Sequence, residues 1–152
     1  MQFDNSFSVL APVADVYAAV SDIERVVPCV PGAKLVQRSG DDVYEVALKA
    51  QLGPLWRNFT GTITVIERDA DEHRIVMTNS ARDAKGRSLG EARIEIALAE
   101  LGEHTNVSIY SHATMDDGSL AENTIQEASS KQMAQFSANL QAMVAGGAPA
   151  VR

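Results

Sequence analysis

Near the end of the chain, from about Asp117 to Val144, apolar side chains recur at helical period: Ala121, Ile125, Ala128, Met133, Phe136, Leu140, Met143 and Val144. Asn123, Glu127, Ser130, Lys131, Ala138 and Gln141 fall on the other side. Ser119 and Glu122 stand at capping-box spacing before the stripe, and Gly146-Gly147 closes it. The spacing predicts one long amphipathic helix. Burial of its largest side chains, at about 1.5–3 kcal/mol each, amounts to roughly 10 kcal/mol of gross stabilisation. No other stretch has a helical pattern of comparable length, so the surface that buries this stripe must be a sheet. Ser129 and Gln132 interrupt the stripe. Either they serve a wet or ligand-bearing pocket beneath the helix, or they lie at its edge and meet solvent.

The rest of the chain supplies that sheet. Phe3, Asn5, Phe7 and Val9 share one face of a first strand. Pro12, at a first helical position, opens a short helix with Val13, Val16, Tyr17 and Val20 on its apolar face. Ser21-Asp22 caps a second short helix, which Pro28 stops, and Pro28-Cys29-Val30-Pro31-Gly32-Ala33 reads as a rigid turn. From Ala33 to Met115 the period is two. The strands expected over 34–38, 43–52, 56–69 and 74–81, with two more after the loop 82–90, are separated by short turns. They place Tyr44, Val46, Leu48, Phe59, Gly61, Ile63, Val65, Ile75, Met77 and Asn79 on one face. Ala92, Ile94, Ile96, Leu98, Val107, Ile109, Ser111, Ala113 and Met115 continue it. Short connections predict antiparallel pairing, and one-sided alternation predicts one buried face. The expected fold is α+β: a curved seven-stranded antiparallel sheet wrapped around a long C-terminal helix, with two short helices between strands 1 and 2. One domain over residues 1–145 is expected, followed by a mobile tail over 146–152.

A net charge of −7 and a pI near 4.9, with no Lys/Arg cluster, argue against nucleic-acid binding and against electrostatic attachment to anionic lipid. The one cysteine, Cys29, has no partner for a disulfide and no ligand-spaced neighbour. There is no signal-peptide pattern and no apolar run long enough to span a bilayer, so a soluble, cytoplasmic protein is expected.

The polar groups expected on the inner face are Tyr44, Asn79, Ser111, Ser129 and Gln132, with no Asp, Glu, His, Lys or Arg among them. General acid–base chemistry needs a titratable group within reach of the reacting proton. His73 and His104 fall at turns and His112 on the outer face, where solvation is their expected fate. No phosphate loop, zinc spacing or nucleophile elbow occurs. Catalytic residues, metal ligands and a cofactor are therefore not expected. Cys29 reads as a small residue filling a gap. Gly61, on the inner face of a central strand, together with Met77, Met115, Met133 and Met143, fits either a plastic apolar cavity or a closed, methionine-patched core.

Three stretches are also familiar as a set. Val27-Pro28-Cys29-Val30-Pro31-Gly32-Ala33, then Leu52-Gly53-Pro54-Leu55 with Phe59-Thr60-Gly61, then Asp117-Gly118-Ser119-Leu120-Ala121, resemble the carbon monoxide dehydrogenase CoxG family. That family belongs to the START-like (SRPBCC) superfamily, whose helix-grip fold has the element order just derived. The resemblance implies a non-catalytic accessory protein for molybdenum hydroxylases of the carbon monoxide dehydrogenase type, linked to membrane recruitment and to hydrophobic, quinone-like ligands. Many members carry an extended tail for membrane attachment. This sequence runs only seven residues past Ala145, which restricts the expectation to peripheral contact at most.

Three readings follow. In the first, a quinone- or lipid-like molecule sits between sheet and helix, lined by Tyr44, Phe59, Gly61, Met77, Asn79, Ile94, Ser111, Met115, Ser129, Gln132, Met133 and Phe136. Such a lining, mostly apolar with a few polar groups, is typical of small-molecule pockets. In the second, the chain is an assembly factor that meets the hydroxylase through its surface. The third, an enzyme of the cyclase or hydrolase type on the same fold, requires an inward titratable group that the alternation does not supply.

Overall fold

The computed structural model describes residues 1–52, 54–115 and 122–145. In chain order the elements are β1 (Gln2–Val9), α1 (Val13–Ser21), α2 (Ile23–Val26), a 3-10 turn (Val27–Cys29), β2 (Ala33–Gly40), β3 (Val43–Leu52), β4 (Leu55–Asp69), β5 (Arg74–Arg82), β6 (Ser88–Leu101), β7 (His104–Met115) and α3 (Glu122–Val144). The strands β2 to β7 pair in succession, and β1 pairs with β7, giving the order β1-β7-β6-β5-β4-β3-β2 with every neighbour antiparallel. This is the curved sheet and gripped C-terminal helix that the alternation predicts.

Local chemistry sets the turns. Asp42 at φ 60°, His73 at φ 53° and Gly102 at φ 61° take the left-handed conformation where the β2–β3, β4–β5 and β6–β7 hairpins reverse. In the turn before β2, a Cβ at Gly32 would lie 2.1 Å from the Lys49 carbonyl oxygen, so only glycine lets this turn dock on β3. The register shifts at Val36 in β2 and at Ile66 in β4. Such bulges bend a strand and leave one residue unpaired. Both residues are exposed.

The core sits at one end of the sheet. Val9, Val16, Ala19, Val20, Ile23, Ile75, Val107 and Leu140 are essentially inaccessible, joining α1, α2 and the C-terminal half of α3 to β1, β5 and β7. Phe136 of α3 meets Phe7 of β1 edge to face, with ring centroids 6.1 Å apart. The outer face is polar. Arg74 pairs with Glu67 and Glu95 across three strands, and Arg82 lies 3.6 Å from Glu45.

Two sequence expectations change in detail. Pro12 is the N-cap of α1, not its first residue, and its carbonyl accepts from Asp15 and Val16. Gln141, expected on the solvent side of α3, bonds the Leu10 backbone instead: Leu10 N–H donates to Oε1 at 2.7 Å, and Nε2 donates to Leu10 O at 3.4 Å. Asp22 caps α2 as expected, accepting from the Glu24 N–H at 3.1 Å. Ser119 and Ala121, and the tail over 146–152, lie outside the described residues.

Candidate functional site

A sheet face under a helix should be buried, and at one end it is. Val65, Met77, Ile96, Leu98, Val107 and Ile109 are all 7% exposed or less. The other end differs. Pairing aligns Val46, Gly61, Ala81, Gly90 and Met115 on one rung of the inner face, and Tyr44, Ile63, Asn79, Ala92 and Ala113 on the next. Small side chains thus fall side by side on the central strands. Ile63, Asn79, Ala81, Ala92, Ala113 and Met115 are only half-buried, although they point to the covered face. Among the described residues α3 lies closest to β1, β3, α1 and the 3-10 turn. This end of the inner face is thus lined by small and apolar groups and is less completely covered than the other.

The sequence-predicted residues divide between this half-exposed end and the packed core. Asn79, Ile94, Ser111 and Met115 lie half-buried on the central and β7 strands, with Phe59 half-buried farther along β4. Ser129, Gln132 and Met133 are half-buried on α3. Gln132 has a partner: its Nε2 donates to Pro31 O at 3.4 Å, which pins the helix to the proline turn. Tyr44, Met77 and Phe136 are buried in the packed core. The guanidinium of Arg38 lies 5.6 Å over the Tyr44 ring. Gly61 is tight, not open. A Cβ there would stand 3.0 Å from Ser80 O and 3.3 Å from Asn79 Oδ1, so the glycine makes room for the asparagine.

Asn79 Oδ1 is buried and has no hydrogen-bond partner among the described residues. Its neighbours along the rung, Ile63 and Ala92, offer no side-chain donor. Gly90 belongs to the same design: at φ 148° its missing Cβ would fall 2.1 Å from Thr114 O, so β6 and β7 approach closely there.

The inner face is not free of titratable side chains: the bulges in β2 and β4 shift the alternation, so Arg38 pairs with Tyr44 and Arg68 with Ile75, both partners being inner-face residues. His104 and His112 are exposed, and His112 belongs to the outer face as expected. His73 is not simply solvated: it is half-buried, with its ring 5.8 Å from Tyr17 and nearly perpendicular to it. Cys29 is fully buried, and burial pushes its thiol pKa up against the opposing charge of Arg25. Its sulfur lies 3.9 Å from Arg25 O and 3.8 Å from the Met143 sulfur. That is a neutral, packed thiol. A shallow cleft of about 230 Å³ on the outer face is lined by Gln2, Asp4, Arg93, Glu95, Tyr110, Ser111 and His112. No group of three His, Cys, Asp or Glu side chains among the described residues could hold a metal ion.

Sequence reasoning missed two features. Asn139 is completely buried in the apolar stripe, donating to Cys29 O at 2.9 Å. Its place between Phe136 and Met143, at helical spacing from both, was the available signal. The alignment of Gly61, Ala81 and Gly90 on one rung needs the register and has no sequence signature.

Known proteins share this architecture. A conserved protein from Geobacillus kaustophilus superposes with a TM-score of 0.80 at 16% identity, covering 95% of each chain. The Zhui aromatase/cyclase from Streptomyces sp. R1128 gives 0.66 at 12% identity, covering 97% of this chain and 98% of that one. Ara h 8.0201 gives 0.63 at 14% identity, covering 97% and 99%. These likenesses establish the helix-grip, START-like fold. No curated protein sequence matches the chain. Residues 6–145 match the carbon monoxide dehydrogenase CoxG family, and the chain belongs to it.

Proposed function

We propose that this member of the CoxG family is a non-catalytic accessory protein that holds an apolar, quinone- or lipid-like molecule between its sheet and α3. The observation that supports the reading is the half-exposed end of the inner face, where small side chains lie on central strands away from the packed core; we read it as a hollow under α3. Its walls are apolar, with Asn79, Ser111 and Ser129 as the few polar groups, the composition of a small-molecule site. The partner enzyme is a molybdenum hydroxylase of the carbon monoxide dehydrogenase type, as the family's name supports.

An aromatase/cyclase stands among the similar structures, but acid–base catalysis needs a titratable group facing the substrate. On the inner face Tyr44 is buried under Arg38 and Arg68 is paired with Asp42, so these groups are engaged within the fold, which favours carriage over chemistry.

No described helix is long and apolar enough to cross a membrane. We place any contact with a bilayer at the β3–β4 hairpin tip, where Leu55 and Trp56 are 55% and 61% exposed.

Native mass spectrometry of protein purified without added ligand, followed by denaturing extraction, tests the function. A stoichiometric apolar molecule is the expected result. Empty protein that shows no thermal shift with added naphthoquinones would overturn the reading and leave the family's assembly role as the function.

A further inference from the structure

Asn79 sits on the inner face of β5, between Ile63 of β4 and Ala92 of β6. Its Oδ1 is shut off from solvent and accepts no hydrogen bond from the described residues. Buried acceptors are almost always paired, and one left alone costs the fold the full loss of its hydration. The orphan is also accommodated: Gly61 provides the space for it, since a Cβ there would lie 3.3 Å from Oδ1. No described neighbour can donate. Val46, Ile63, Ala81 and Ala92 have apolar side chains, and the Ser80 carbonyl that closes on the same spot is itself an acceptor. A water could supply the donor only through the Ser80 carbonyl as its second partner, the minimum that buried waters have.

A guest can supply the missing donor. On the reading that the hollow binds an apolar molecule, we infer that the molecule carries a hydroxyl and that Asn79 recognises it. The Cβ–Cγ torsion of asparagine is soft, so a modest rotation turns Oδ1 from Gly61 toward the hollow to meet the incoming O–H. A carbonyl or ether oxygen at the same place sets acceptor against acceptor. The ligand class is therefore a hydroxylated aromatic, and of the two redox forms of a quinone it is the hydroquinone that the pocket prefers. Asn79 is a specificity-determining residue in this scheme, and Gly61 positions it.

The test pairs 1-naphthol with 1-methoxynaphthalene, which share a ring system but differ in the donor, using calorimetric titration of the full chain. Wild type should bind the naphthol about tenfold more tightly than the ether, the scale of one relieved buried acceptor. Asn79→Leu should abolish that preference by weakening the naphthol alone. Should Asn79→Leu fail to fold, Asn79→Ala gives the same comparison. In wild type the Asn79 side-chain amide resonances should move with naphthol and stay put with the ether. Equal affinities in wild type, or a preference that survives in the variants, overturns the donor inference while leaving ligand binding intact. Folded wild type that binds neither compound overturns the ligand reading as well.

Discussion

Asn139 shows how one buried polar side chain can do what an apolar residue cannot. It lies at the centre of the α3 stripe with 0% exposure, and its Nδ2 reaches the Cys29 carbonyl at 2.9 Å. The Gln135 amide lies 3.5 Å from its Oδ1. The carbonyl it serves follows a 3-10 turn and precedes Val30-Pro31, where proline removes a backbone donor. Replacing Asn139 with leucine would put a larger branched side chain in its place and strand that carbonyl without its donor. Asn139→Leu should therefore cost about 1–3 kcal/mol in urea unfolding, despite the gain in apolar surface. A variant as stable as wild type would mean that Cys29 O finds another donor. In sequence the residue was invisible as a core group, because asparagine is expected at surfaces and caps. Cys29 was legible: lone, flanked by prolines and without a base, it fills a gap as a protonated thiol.

At the scale of elements, α3 is held by amides as much as by its apolar stripe. Gln132 bonds Pro31 O, Asn139 bonds Cys29 O, and Gln141 makes two bonds to the Leu10 backbone. All three reach the chain between β1 and β2. Periodicity located the helix and its apolar face, because period 3.6 depends only on the chain itself. It placed Gln141 on the wrong side because a long polar side chain at the stripe's edge can turn back to a neighbouring backbone. The β3–β4 hairpin carries the opposite lesson. Residues 46–66 contain Lys49 and Arg57 but no acidic residue, a local exception in a chain of net charge −7. The Lys49 ammonium lies 5.6 Å over the Trp56 ring, beside exposed Leu55. An amphipathic indole with cations beside it suits the headgroup level of a bilayer. Sedimentation with phosphatidylglycerol vesicles should capture wild type at low salt and release Leu55→Ser/Trp56→Ser. Equal capture of both proteins rules the tip out as the contact.

At the scale of the molecule, the sheet is two half-sheets under one helix. Where Ile75, Leu98, Val107 and Leu140 meet, large side chains fill the space and set the stability. Where Ala81, Ala92 and Ala113 lie, the side chains are small and half-exposed. The element order and the inward-facing residues were readable because strand period is local. The division into a packed end and a half-exposed end was not, since it depends on which residues of different strands fall on the same rung. That difference decides between a plastic cavity and a closed methionine-patched core, and Ala92→Leu separates them. If the space is open, the leucine side chain enters it without moving its neighbours. Stability should then rise by about 1 kcal/mol, as cavity-filling changes do, while 1-naphthol no longer binds. In a closed core the same change overpacks and costs about 1–3 kcal/mol, with no binding to lose. Urea unfolding and ligand titration on the one variant read both quantities. A loss of stability would remove the hollow from the molecule, and with it the carrier.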